Sequence, residues 1–269
     1  MPDVYTHISD AAPHILSDLM IVLELRAADP QQRAMLDTYL ADTAIPQGAH
    51  VLEVGCGTGA VTRVLAAWPG VVRAVGVDPS PMFVAKAREL AAGLATLAFA
   101  QADGRSLPLA SNTFDTVVFH TTLCHVPDPD AMLHEAVRVL RPGGCLAIFD
   151  GDYATGTLAT GAGDPLDACA EAFRAHFIHD PWLVRRLPKL VQAAGMQLER
   201  IRSYGYLEGP APGFMLCGWV DLGTDALVTS GRIGVDLAAA LKAEARRRVA
   251  SGEFFGHIAY VSLVTRKAA

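Results

Sequence analysis

No run of about 18 consecutive apolar residues occurs anywhere in the chain, so the sequence offers no membrane span. The first twenty residues carry Asp3, His7, Asp10, His14 and Asp18, and lack the basic start and unbroken apolar core of a secretory signal. Cysteine is sparse: Cys56, Cys124, Cys145, Cys169 and Cys217 are odd in number and widely spread, with no C-x-x-C pair. That pattern excludes a disulfide framework and a cysteine zinc site, and it suits reduced, buried thiols in the cytoplasm. Basic runs are equally short. The longest, Arg246 to Arg248, stands beside Glu244 in a helical pattern, and the net charge is −6. Neither nucleic acid nor an anionic membrane surface is therefore an expected partner. What remains is an ordinary globular composition, 51% hydrophobic and 19% charged over 269 residues, enough for one large domain with an insertion.

Between residues 50 and 150 the pattern alternates. "HVLEVG" is a buried strand bounded by glycine, and "AVTRVLAAW" follows with helical spacing. "VVRAVGVD" (71–78) is a second strand, and "PMFVAKARELAAG" a helix with Ser80 as N-cap, Pro81 in its first turn and Gly93 as its stop. "ATLAFAQAD" (95–103), "TFDTVVFH" (113–120) and "GCLAIFD" (144–150) supply three more strands. The helix "DPDAMLHEAVRVL" precedes the last of these, closed by the turn Arg141-Pro142-Gly143-Gly144. Such alternation predicts an α/β fold, a doubly wound parallel sheet with helices on both faces. Strand patterns return at 196–208 and 253–267, with a mostly helical stretch between them. Residues 1–47 are helical in pattern.

Ligands of such sheets bind beyond the carboxyl ends of the strands. Those ends carry Gly55-Cys56-Gly57-Thr58-Gly59, Asp78, Asp103-Gly104, His120, and Asp150-Gly151-Asp152-Tyr153. Asp78 is placed to accept hydrogen bonds from a ribose diol, since Ser80 is the better helix cap and leaves it free. Asp103 is placed for an adenine amine, with Gly104 approaching the ring and Met82 lying against it. The ligand is thus read as an adenosine. Gly55-x-Gly57-x-x-Ala60 fits a dinucleotide turn, which would hold a pyrophosphate. Glu53, a carboxylate inside an apolar strand, suits an ammonium group instead. S-adenosylmethionine (SAM) carries that ammonium, and its carboxylate suits the helix start at Thr58–Ala60. A nicotinamide-dependent dehydrogenase is the disfavoured alternative.

"VLEVGCGTG", "VGVDPS" and "ADGRSLPLASNTFDTVVFHTTLCHVPDPDAMLHEAVRVLRPGG" together resemble, in order and spacing, the motifs of class I SAM-dependent methyltransferases. The resemblance is to the broad branch that includes ubiquinone and menaquinone biosynthesis enzymes, and it covers about residues 45–150. It implies a Rossmann-like, seven-stranded sheet whose last strand is antiparallel. It also carries the cofactor contacts to Glu53, Gly55, Gly57, Gly59, Asp78, Asp103 and the segment at His120, and Cys56, within the glycine loop, is read as a further cofactor-site residue. The expected organisation is a helical lid (1–47), a SAM-binding core (48–209), a helical insertion capping the substrate (210–252) and the final core strand (253–269).

Methyl transfer needs alignment, exclusion of water and often removal of one proton. His120 is the first candidate base, with an ordinary pKa near neutrality. His125 is a second candidate with a more structural character, and Asp152 and Tyr153 are candidates for orienting a substrate. No metal is expected. Arg26, which interrupts "IVLELRAA", is read as a partner for the methionine carboxylate, with Arg33 competing. "GFMLCGWVDLG" (213–223) is an apolar candidate wall. The expected activity is methyl transfer to a small, partly apolar metabolite or natural-product intermediate, by a monomer or homodimer. The alternative is a SAM-binding protein with other chemistry or a regulatory role.

Overall fold

The computed structural model describes residues 3–209 and 215–269. Seven strands form one sheet: β1 (Ala49–Val54), β2 (Val71–Asp78), β3 (Leu97–Gln101), β4 (Phe114–His120), β5 (Leu140–Thr157), β6 (Met196–Glu208) and β7 (Gly256–Lys267). Their order is β3-β2-β1-β4-β5-β7-β6. The first five pair in parallel, and β7 runs antiparallel to both β5 and β6. The expected seven-stranded topology is the observed one. Strand order reverses between β1 and β4, which opens a crevice at their carboxyl ends.

The central strands are buried on both faces, which is why β1 and β4 read as nearly continuous apolar runs. The helices α1 (Pro13–Ala28) and α2 (Pro30–Asp42) precede the sheet, separated by Asp29. Asp29 ends the first helix and caps the second, accepting from the backbone N–H of Gln31 and Gln32. Then α3 (Ala60–Ala67), α4 (Pro81–Leu90) and α5 (Pro129–Val139) alternate with strands, and α6 (Leu166–Phe177) and α7 (Leu187–Ala193) lead to β6. The pair α8 (Cys217–Thr229) and α9 (Val235–Ser251) fills the stretch before β7. Large side chains buried completely in the core include Tyr39, Leu40, Leu52, Phe119, Phe149, Leu133 and Leu140.

Several boundaries differ from expectation: β7 starts at Gly256, not 253, and α4 ends at Leu90 with Ala91, not Gly93, as its C-cap. β5 begins at Leu140, not 144, and runs on to Thr157. Arg141-Pro142-Gly143-Gly144 ends α5 as expected, but the chain enters the sheet at once and accommodates the turn as a bulge. Pairing steps from Phe114–Leu140 to Thr116–Cys145, and Gly143 takes a left-handed φ of 74°. β3 stops at Gln101, so Asp103 lies in the following turn, not on the strand.

Candidate active site

A cavity of about 790 Å³ lies over the carboxyl ends of the strands. Its floor is the glycine turn. Gly55, Gly57 and Gly59 all have left-handed φ, of 78°, 51° and 76°. A Cβ on Gly55 would stand 2.4 Å from Thr122 Cγ2, and one on Gly59 would stand 2.6 Å from Phe99 Cζ. Neither site has room for a side chain. Gly59 also precedes α3 with no side chain capping that helix, so its amino end is open to an anionic group.

Glu53 is 2% exposed and lines the cavity. Its Oε2 accepts from the Thr62 hydroxyl, and burial pushes its pKa up to about 8, partly offset by that hydrogen bond. Asp78 is also buried, and it is not free as expected. Its Oδ2 accepts from Gly57 N and its Oδ1 from Ser80 N, each at 2.9 Å. Ser80 does cap α4, through Phe83 N at 3.4 Å, so the two residues share the turn instead of dividing it. Each Asp78 oxygen keeps a second lone pair for a ligand. Burial raises its pKa to about 6 against the pull of those two amides.

Cys56 and Gly104 also line the cavity. The Cys56 thiol is pushed well up by burial, and a Cβ on Gly104 would stand 2.3 Å from Met132 Cε. Asp103 lies on the cavity wall, but its carboxylate is gripped by Arg105 at 2.7 Å, which lowers its pKa. Met82 departs from expectation: it packs beside Ile8, Leu16 and Phe83 and lies outside the cavity wall, to which the next residue, Phe83, contributes. Pro81 starts the helix, and the turn that follows aims Met82 at the N-terminal segment.

His120 lines the cavity as expected, with an environment that changes its character. Its Nδ1 meets the Tyr39 hydroxyl at 3.0 Å, and its ring stacks on Phe149 at 4.8 Å. Burial, with Arg26 adding to it, holds its pKa well below the ordinary value. The expectation of a pKa near neutrality is thereby corrected. His125 also reaches the cavity, but its Nδ1 is tied to Asp3 Oδ2 at 2.6 Å, and the Tyr5 ring packs against it at 4.6 Å. Asp3 further accepts from Tyr5 N and His179 N, which pins the N-terminal segment across the site. Asp152 is drawn away: Arg185 holds both its oxygens, at 3.0 and 3.2 Å, and it lies outside the cavity wall. Its neighbour Tyr153 points the other way, into the cavity, as alternation along β5 requires.

Arg26 and Arg33 both line the cavity. Arg33 pairs with Asp37 at 3.1 Å near solvent. Arg26 donates through Nη1 to the Thr121 hydroxyl at 2.9 Å, and its guanidinium lies over the Tyr260 ring, 5.6 Å from the centroid. The far end of the cavity is aromatic: Tyr153, Phe173, Phe177 and Trp219, with Met215 and Leu222. Trp219 stacks on Phe173 at 4.5 Å and faces Tyr153 at 6.0 Å. Of the expected apolar wall at 213–223, Gly213 and Phe214 lie outside the described residues. Among the described residues, no three His, Cys, Asp or Glu side chains are grouped to hold a metal ion, and no helix is long and apolar enough to cross a membrane.

Sequence reasoning missed Gln32, Tyr39, Thr121, Phe173, Phe177 and Tyr260 as cavity or supporting residues. Tyr260 had a signal in retrospect, because it is opposite Gly151 once β7 is paired with β5. Gln32 had none.

Residues 52–148 match the family model described as methyltransferase domain. Methyltransferase GfsG of Streptomyces halstedii is 34% identical over 156 residues, 57% of this chain and 55% of that protein. Cycloartenol-C-24-methyltransferase 1 of Oryza sativa subsp. japonica is 35% identical over 109 residues, 39% of this chain and 31% of that protein. The chain thus spans from about a third to just over half the length of these relatives. Among solved structures, a Bacillus halodurans protein superimposes with a TM-score of 0.63 at 21% identity, covering 87% of this chain and 99% of that one. The glycine turn and the carboxylates around it lie largely within the matched stretch, and the β7-antiparallel sheet is the fold shared with the solved structure: residues 52–148 resemble a methyltransferase domain.

Proposed function

We propose that this chain transfers the methyl group of SAM to a small, partly apolar molecule. The observation that carries the reading is the division of one cavity. One half is polar, with the glycine turn, Glu53 and Asp78, and the other is walled by Tyr153, Phe173, Phe177 and Trp219. Its volume of about 790 Å³ lies in the upper part of the range for small-molecule sites. The relatives' names support the apolar half, since a sterol methyltransferase and a phytyl-hydroquinone methyltransferase of Synechocystis are among them.

In this reading Glu53 receives the cofactor's ammonium, Asp78 the ribose diol through its remaining lone pairs, and the Gly104 turn flanks the adenine. Asp103 reaches the adenine amine only as Arg105 yields part of its grip. The open end of α3 receives the methionine carboxylate. SAM, when bound, would supply an electrophilic methyl group: the acceptor's electron pair, a lone pair on O, N or S or a π pair on carbon, would form the new bond to it as the C–S bond breaks, leaving S-adenosylhomocysteine (SAH). An O–H or N–H acceptor then gives up one proton. His120, neutral and fixed by Tyr39, is a weak base, so its contribution is orientation more than proton removal. Free cysteines agree with a cytoplasmic setting, and the acidic net charge with a small-molecule partner over nucleic acid.

Calorimetric titration with SAH, with NAD as the control, tests the cofactor. Labelled SAM offered with phenolic and isoprenoid acceptors then tests the transfer. One-to-one SAH binding with no NAD binding is the expected result. A folded wild type that ignores SAH, or prefers NAD, refutes the proposal. For His120→Asn the expected loss in kcat is below about tenfold. A loss of a hundredfold or more would make His120 a true general base.

A further inference from the structure

Arg26 and Gln32 face the cavity with hydrogen-bonding groups that nothing satisfies. Arg26 Nε and Nη2, and Gln32 Nε2 and Oε1, are all shielded from solvent and make no hydrogen bond. Among the described residues, the hydrogen-bond partner of the Arg26 guanidinium is the Thr121 hydroxyl, and no carboxylate takes its Nε or Nη2. Leaving such groups buried and unpaired costs about 1–3 kcal/mol each, and more where charge is involved. The cost falls on two residues of one helix pair, at one place.

The geometry of the free groups is specific. Nε and Nη2 form one edge of the guanidinium, two parallel N–H donors that match a carboxylate's two oxygens. Nη1, on the other side, is already used by Thr121. The guanidinium lies over the Tyr260 ring of β7, 5.6 Å from its centroid, so its free edge is at the side of the cavity that Tyr260 and Tyr153 line. Gln32 stands close to the Tyr260 hydroxyl without being aligned to bond with it; that hydroxyl donates to Met215 Sδ at 3.8 Å. The uncapped end of α3 remains for the methionine carboxylate.

We infer that Arg26 and Gln32 form a receptor for a carboxylate carried by the methyl acceptor, with Arg26 gripping both oxygens and Gln32 Nε2 donating a further bond. The inference rests on the methyl-transfer reading and adds the class of substrate: an apolar, ring- or chain-bearing acid whose body lies against Trp219, Phe173 and Tyr153. A carboxylate held by both oxygens is a poor nucleophile, so it serves as the handle, and the methylated atom lies elsewhere on the molecule.

The test is titration of the SAH-loaded protein with 1-naphthoate and decanoate, each beside its methyl ester, on wild type, Arg26→Gln, Arg26→Lys and Gln32→Leu. At least one acid is expected to bind tenfold or more tightly than its ester. Arg26→Gln abolishes that preference, Arg26→Lys restores part of it, and Gln32→Leu reduces it several-fold. SAH affinity stays within about threefold of wild type in all three variants, which also reports that they fold. Tenfold weaker SAH binding in Arg26→Gln would return Arg26 to the cofactor and overturn the inference. So would equal binding of acids and esters, or no binding of either. Failure of wild type to bind SAH at all is a separate result, and it refutes the methyl-transfer reading itself.

Discussion

Asp78→Ala is expected to bind SAH at least ten times more weakly than wild type, a loss of about 1.4 kcal/mol or more. Two effects add. The ribose loses its acceptor, and the amides of Gly57 and Ser80 lose the oxygens that hold them. The second effect loosens the glycine turn, so the loss extends beyond the ribose. Asp78→Asn separates the two: its one remaining oxygen keeps one amide in place, and its affinity should fall between those of wild type and Asp78→Ala. Calorimetry on all three proteins checks the order. Unchanged affinity in Asp78→Ala would remove Asp78 from the cofactor site.

Glu53→Gln is expected to act on binding and stability in opposite directions. In the ligand-free protein the Glu53 carboxyl has a pKa of about 8, raised by burial from an ordinary 4.5. An ammonium ligand favours the carboxylate, so SAH binding releases a proton below pH 8. Affinity should then rise between pH 6 and 8, by up to about tenfold per unit. Glu53→Gln should remove that dependence and weaken binding at pH 8. Stability follows the opposite sign. A raised pKa favours the protonated folded state, so Glu53's contribution is intact below the unfolded value of about 4.5 and declines as pH rises towards 8. The loss by pH 8 is on the order of 4 kcal/mol. Asp78, with a pKa raised to about 6, adds a smaller loss over lower pH. The ligand-free Glu53→Gln variant should therefore melt several degrees above wild type at pH 8 and show little difference near pH 4.5. Thermal melts across that range check the sign. A variant that melts below wild type at pH 8 would mean that Glu53 is a structural anchor of Thr62 before it is a ligand for the cofactor.

The parallel core was legible because its signals are local. Glycines at 55, 57 and 59, the Ser80-Pro81 helix start and the apolar runs of β1 and β4 each report a conformation that only a few residue types allow. The acceptor half was legible only in part: Tyr153 and the wall at 213–223, which holds Trp219, were read from the sequence, but its other residues come from elements that meet only in the folded chain. Tyr39 and Gln32 come from α2, Phe173 from α6, and Tyr260 from β7. Competition for partners also hid several outcomes. Asp152 was placed near the site by its strand, but Arg185, 33 residues later, takes it away. Asp78 was read as free because Ser80 caps the next helix, and the Gly57 amide that claims one of its oxygens is 21 residues upstream. His120 was read with a solution pKa, which its burial beside Tyr39, Phe149 and Arg26 overrides.

The rings around His120 have a practical consequence. Tyr39 lies 5.3 Å from Phe149, and Phe149 stacks 5.1 Å from Tyr260 at an interplanar angle of 3°. These aromatics are carried by α2, β4, β5 and β7, so the ladder forms only when a helix before the sheet and the antiparallel strand are both docked on its centre. Chromophores fixed at such spacing in an asymmetric setting give strong near-ultraviolet circular dichroism. The protein thus carries an optical gauge of its own assembly, readable without cofactor or substrate, and one that separates a variant with a damaged site from one whose sheet never closed.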